Sequence, residues 1–102
     1  MSACSESEPF ALQVLGDSME PEFPDGSVII VEPSGVVEDG AFVVAWHEEG
    51  VILRRLVIDG DHWRLEALKS GYPEIPVAGL EQIRGRVVQR AGRRRADRKS
   101  YL

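Results

Sequence analysis

The sequence predicts an all-β domain, and three observations point there. Short apolar runs alternate with turn signals along the whole chain. Gly and Pro interrupt it at intervals of about eight to twelve residues, the spacing of short antiparallel strands. No segment keeps a helical period over as much as about ten residues.

Phe10 to Leu15 is the first expected strand and stops at Gly16. Pro24-Asp25-Gly26 is a turn, because Pro presets φ and Gly accepts a positive φ. Ser27 to Val31 is a β-branched strand stopped by Pro33-Ser34-Gly35. Asp39-Gly40 turns into a strand over Ala41 to Trp46. Glu48-Glu49-Gly50 is a solvated hairpin tip leading into Val51 to Ile58. Asp59-Gly60-Asp61 closes a hairpin onto His62 to Leu68. Gly71-Tyr72-Pro73 and Pro76 mark an irregular stretch, and Ile83 to Gln89 is the last expected strand.

The 102 residues suffice for one domain with a modest core. Expected boundaries are a disordered lead-in over 1–8, a folded domain over 9–90 and a flexible basic tail over 91–102. With 43% apolar and 28% charged residues, the composition is that of a soluble globular chain. No apolar run approaches the roughly 20 residues needed to cross a bilayer, and residues 1–9 lack a signal-peptide pattern. The expectation is therefore a cytoplasmic protein with no membrane contact. Cys4 is the only cysteine, which excludes an intrachain disulfide.

The net charge of −5 is unevenly spread. Residues 1–83 carry four basic residues (Arg54, Arg55, Arg64, Lys69) against sixteen acidic ones. Residues 84–102 carry eight basic residues against Asp97 alone. Such a tail can touch nucleic acid. The simpler reading is a solvated C-terminus, because short basic runs arise by chance.

The stretch richest in chemistry is Gly16-Asp17-Ser18-Met19-Glu20-Pro21 followed by Phe23-Pro24-Asp25-Gly26. A serine on a tight turn after a strand presents its hydroxyl, with neighbouring backbone N–H groups, to a substrate carbonyl. The bland alternative is a turn in which Asp17 and Ser18 only cap backbone groups. Serine needs a base. His47 and His62 sit beside expected hairpin turns with no acidic partner assignable to either, so a Ser–His–Asp triad is not the favoured reading. With one terminal cysteine they are too few for a zinc site, and no metal or cofactor is expected. The other available base is a lysine whose pKa burial has lowered.

The run Phe10 to Val31, including Gly16-Asp17-Ser18-Met19-Glu20-Pro21, resembles the C-terminal domain of LexA, UmuD and phage repressors. The resemblance continues through Asp39-Gly40-Ala41-Phe42-Val43-Val44, Leu53-Arg54-Arg55-Leu56, Leu65-Glu66-Ala67-Leu68, Tyr72-Pro73 and Ile83-Arg84-Gly85-Arg86-Val87-Val88. It implies a compact, signal-peptidase-like, barrel-like β fold that forms a homodimer, and a serine–lysine peptidase that cuts its own N-terminal segment when a RecA filament promotes it. It further implies a place in transcriptional repression or the SOS response to DNA damage, with a repressor or polymerase as partner. Ser18 matches the nucleophile, and the turn around Asp17 and Met19 matches the oxyanion-binding backbone.

Two departures bear on activity. The family reads Lys-Arg-Leu where this chain has Arg54-Arg55-Leu56, so Arg54 occupies the position of the base. A guanidinium has donors, no acceptor, and stays protonated. Lys69 is the one other lysine ahead of the tail and falls in an expected surface turn. The Ala–Gly or Cys–Gly bond that the family cuts is also missing upstream of Ser18; Ala78-Gly79 and Ala91-Gly92 lie downstream. Two readings follow: a peptidase-family domain with weak or lost activity, or a non-catalytic dimerisation or regulatory module of the same fold. Arg54 is expected against Ser18 with a carboxylate or carbonyl beside it, Met19 beneath the turn, and Phe10, Phe42, Trp46 and Trp63 in the core or an interface.

Overall fold

The computed structural model describes residues 8–33, 37–48, 50–91 and 98–101. Residues 1–7 of the expected lead-in with Cys4, Ser34-Gly35, Glu49, and Gly92 to Asp97 of the expected tail, all weighed above, lie outside them. The elements are β1 (Phe10–Gln13), β2 (Val28–Glu32), β3 (Phe42–His47), β4 (Gly50–Asp59), β5 (His62–Glu66), β6 (Ile75–Val77), a 3-10 turn (Leu80–Gln82), β7 (Ile83–Ala91) and β8 (Lys99–Ser100). The mainly-β expectation holds. Among the described residues there is no α-helix, and so none long and apolar enough to cross a membrane.

All pairings are antiparallel and join one sheet in the order β1-β2-β7-β3-β4-β5-β6, with β8 added to β7. The barrel-like expectation needs correction. β1 and β6 end the path and no described pairing joins them, so the sheet stays open. Two strands were missed. Ile75–Val77 is short and contains Pro76, which removes a ladder donor, and it pairs with β5 as an edge strand. Lys99–Ser100 lies in the segment expected to be a flexible tail, yet it pairs with Gln89 and Arg90. Two strands end early: β1 stops at Gln13 and β5 at Glu66. The backbone beyond each stop is used to hold the serine turn.

Alternation along β3 explains how one open sheet supports two cores. Val44 joins a cluster with Val14, Met19, Phe23, Ile29, Val31, Leu53 and Val87. Val43 and Ala45, on the opposite face, join Ala41, Leu56, Leu65 and Val77. β4 does the same, with Leu53 in the first cluster and Leu56 in the second. Each fully buried aliphatic or aromatic side chain contributes about 1.5–3 kcal/mol relative to exposure. β7 passes close to β2 at Gly85, where a Cβ would stand 2.6 Å from Val31 Cγ1 and 3.0 Å from the Glu32 carbonyl oxygen. Only glycine fits there.

Of the aromatics expected in the core, Phe42 packs edge-on against Phe23 and Trp63 is half-buried against the second cluster. Phe10 and Trp46 are exposed, at 37% and 49%. Trp46 sits beyond the cluster-forming part of β3, with Arg84 over its ring.

Candidate active site

Ser18 is carried by the loop between β1 and β2, which backbone and side-chain bonds close at its neck. Val14 N–H donates to the Ser27 carbonyl at 2.7 Å and Gly26 N–H to the Val14 carbonyl at 2.7 Å. Asp25 Oδ1 accepts from Gly16 N–H at 2.6 Å. The turn itself is wound by Glu20 N–H to the Asp17 carbonyl and Phe23 N–H to the Met19 carbonyl. Met19 and Phe23 then point down into the first core cluster and anchor the turn from below, as expected of Met19.

A second tie comes from the far side of the sheet. Leu68 N–H and Lys69 N–H both donate to the Ser18 carbonyl at 3.0 Å. This is why β5 ends at Glu66: the backbone after it serves the serine turn rather than extending the ladder. Asp17 completes the tie with its side chain. Its Oδ2 accepts from Lys69 Nζ at 2.5 Å, and its Oδ1 accepts from the Tyr72 hydroxyl. The Lys69 and Tyr72 hydrogen bonds hold the Asp17 carboxyl below its ordinary value. The same contacts raise Lys69 and Tyr72 above theirs.

Ser18 and Arg54 are in contact. Arg54 Nη1 donates to Ser18 Oγ at 2.9 Å and to the Leu53 carbonyl at 2.8 Å. The Tyr72 ring lies 5.8 Å from the guanidinium carbon. The carbonyl partner foreseen for Arg54 is present; a carboxylate partner is not, among the described residues. Arg54 Nε is buried without a hydrogen-bond partner. Burial pushes the guanidinium below its ordinary value, but from so high a starting point that it stays protonated near neutral pH. Lys69 does not replace it, since its amine is committed to Asp17. His47 and His62 line no part of the cleft around Ser18, and among the described residues no three His, Cys, Asp or Glu side chains gather as a metal site.

The cleft has a volume of about 370 Å³. One wall is the end of β1 with the serine turn, from Leu12 to Met19, and the other is Val51 to Arg54 of β4. Both walls carry free strand edge. Among the described residues β1 pairs only with β2, and β5 begins pairing with β4 at Arg55, leaving Gly50 to Arg54 bonded on the β3 side alone. Leu15 and Val51 stand 80% and 43% exposed on the rims. Tyr72 reaches the cleft from the loop before β6, touching Asp17 on one wall and Arg54 on the other. Read from sequence, Tyr72 has no role beyond its place in the resemblance. Its only local signal is an aromatic between Gly71 and Pro73, which reads as turn.

Against known proteins, the Peptidase S24-like family model matches residues 2–88. This chain belongs to the Peptidase S24-like family. Among curated relatives, the HTH-type transcriptional regulator for conjugative element R391 of Providencia rettgeri is 40% identical over 87 residues, 78% of this chain and 40% of the regulator. A LexA repressor of Koribacter versatilis is 38% identical over 84 residues, covering 79% of this chain and 40% of that repressor. Repressor protein C2 of Salmonella phage P22 is 36% identical over 91 residues, covering 83% and 42%. The chain thus spans about two fifths of the length of these relatives. The Peptidase S24-like match takes in both cleft walls, Ser18 and Arg54.

Proposed function

We propose that this chain is the peptide-cleft domain of a repressor-type regulator, with Ser18 in the nucleophile's position and self-cleavage strongly impaired. The observation that carries this is the 2.9 Å contact in which Arg54 donates to Ser18 Oγ. A nucleophilic serine must give up its proton as it attacks. A protonated guanidinium offers only donors, so it can stabilise an oxygen anion but cannot accept that proton. General-base catalysis supplies about 10²–10⁴-fold in rate, and that factor is what the substitution removes. The free edges of β1 and β4 suit an extended peptide laid between them as an added strand, its backbone bonded and alternate side chains in the apolar groove.

The test is direct. The unmodified protein, its Arg54→Lys variant and a Ser18→Ala control are incubated at mildly alkaline pH with a peptide bearing an Ala–Gly bond, and fragments are followed by mass spectrometry. Cleavage by Arg54→Lys that is absent from the unmodified protein is the expected outcome. Efficient Ser18-dependent cleavage by the unmodified protein would sink the reading.

A second role, dimerisation and partner binding, is favoured by the exposed cross-strand pair Trp46 and Val51 and by the repressor relatives. A homodimer is the first expectation, checked by sedimentation velocity or light scattering across concentration; a RecA filament or a repressor or polymerase partner is proposed on the LexA-like resemblance alone.

A further inference from the structure

Every other basic side chain placed on the sheet body has an ionic or ring partner. Arg55 pairs with Glu66, Arg64 with Glu74, Lys69 with Asp17, Arg86 with Glu38, Arg90 with Glu22, and Arg84 lies over Trp46. Arg54 has no carboxylate within 4 Å among the described residues, in a chain of net charge −5. The carboxylate nearest to hand in the cleft, Asp17, is already held by Lys69 and Tyr72. A half-buried cation without a counter-ion is costly to keep unless a ligand supplies the anion.

The free donors also point one way. Among the described residues Arg54 spends only Nη1 on protein partners, and its Nη2 makes no hydrogen bond and is not among the buried unpartnered atoms. The Ser18 hydroxyl accepts from Arg54, and its own hydrogen donates to no described protein group. Two adjacent donors, one of them charged, line an apolar groove with strand edges on both walls. Tyr72 stands beside them, its hydroxyl on Asp17 and its ring 5.8 Å from the Arg54 guanidinium carbon. A groove with free strand edges takes extended peptide, and a cation lacking a carboxylate beside the serine favours a peptide that brings its own anion there.

We propose that this cleft is a receptor for the C-terminal end of an extended apolar peptide, with the terminal carboxylate held by Arg54 Nη2 and the Ser18 hydroxyl. A guanidinium matches a carboxylate in shape and charge, and such charge-assisted bonds are the strong ones in a partly desolvated site. The substitution that removes the base thereby creates an anchor: a site built to open a peptide bond holds the acid end of a peptide. No covalent step is involved. The proposal rests on the peptide-cleft reading above.

The test uses three fluorescein-labelled hexapeptides read by anisotropy: Gly-Lys-Val-Leu-Val-Ala as free acid, the same peptide as its amide, and an amide in which the last residue is Glu. The free acid is expected to bind about tenfold or more tightly than the plain amide. Arg54→Gln should abolish that preference, with thermal melting showing the fold intact. Equal binding of acid and amide, or no saturable binding of the acid up to about 1 mM, overturns the proposal. A Glu amide binding as well as the acid moves recognition to a side-chain carboxylate and overturns the terminal claim. Mass spectrometry of the same samples keeps the two readings apart. Ser18-dependent cutting of the amide would sink the impaired-peptidase reading yet leave an acid preference standing, whereas loss of the preference without cutting sinks the receptor alone.

Discussion

Arg54 and Arg55 are chemically identical neighbours on β4, and they meet opposite surroundings. Arg55 points to the face where Glu66 of β5 stands directly across, and the two form an exposed ion pair. Arg54 points to the other face at the last residue before β5 pairing begins, where the strand edge is free and the cleft opens. Where β5 covers β4, a cation finds a carboxylate. Where β5 has ended, the cation finds a serine and a carbonyl. The difference teaches that the end of a neighbouring strand, rather than residue type, decides which arginine finds a carboxylate and which faces the cleft.

The largest expected effect comes from making the neighbours unlike. Arg54→Lys should raise Ser18-dependent cleavage by about 10²–10⁴-fold, measured as single-turnover fragment formation. Arg55→Lys should leave it unchanged. The pH profiles sharpen the point: a neutral amine is reached from an ordinary value near 10.4, a neutral guanidinium only from above about 12. Any residual cleavage by the unmodified protein should therefore begin at a higher pH than that of Arg54→Lys. A gain as large in Arg55→Lys would break the comparison.

Next in size is the strand's own packing. Leu56 is fully buried in the second cluster, on the part of β4 covered by β5. Leu56→Ala should cost about 2–5 kcal/mol in urea unfolding, with Arg54 still in contact with Ser18. Smaller again are the charge deletions. Arg55→Met should cost no more than about 1 kcal/mol, as exposed pairs do. Arg54→Met should leave stability unchanged or raise it by up to about 1 kcal/mol, since it removes a half-buried cation lacking a carboxylate. Finding Arg54→Met the more damaging of the two to stability would show that its role is structural.

The smallest effect is a pH dependence at the tie between the serine turn and the loop of Lys69 and Tyr72. The folded pKa of Asp17 is depressed, so its contribution is present above the ordinary carboxylate range and is lost as pH falls through the folded value. Lys69 and Tyr72 are raised, so theirs is present below their ordinary values and is lost as pH climbs past the folded ones. The melting-temperature gap between the unmodified protein and Asp17→Asn should be positive and flat between these limits and narrow outside them. A gap that widened below about pH 4 would contradict the assignment.

The strands of this sheet were legible because they announce themselves locally. Val43 and Val44, the Asp59-Gly60 turn and Ile83 to Gln89 combine β-branched runs with chain reversals. What escaped the sequence was set by distant partners. β1 and β5 stop short because Val14, Leu68 and Lys69 place their backbone groups on Ser27, Gly26 and Ser18, contacts no local pattern encodes. β6 and β8 exist only because β5 and β7 offer edges to them. Ser18 and Arg54 were readable through resemblance, while the direction of Arg54 was not, since both parities of residues 51–58 are apolar. Tyr72 looked like part of a turn because its role depends on two residues 55 and 18 positions away in the chain.

Glu22 lies four residues beyond Ser18 and gathers the far end of the chain. It accepts from Lys99 Nζ at 2.7 Å and from the Tyr101 hydroxyl at 2.6 Å, while the Tyr101 ring stacks 5.3 Å from Phe23. The turn that bears the hydroxyl is therefore latched by residues 99 and 101. A substitution at either of them would unbolt the underside of the serine's turn without touching the groove, so a change some eighty residues away in sequence is felt at Ser18.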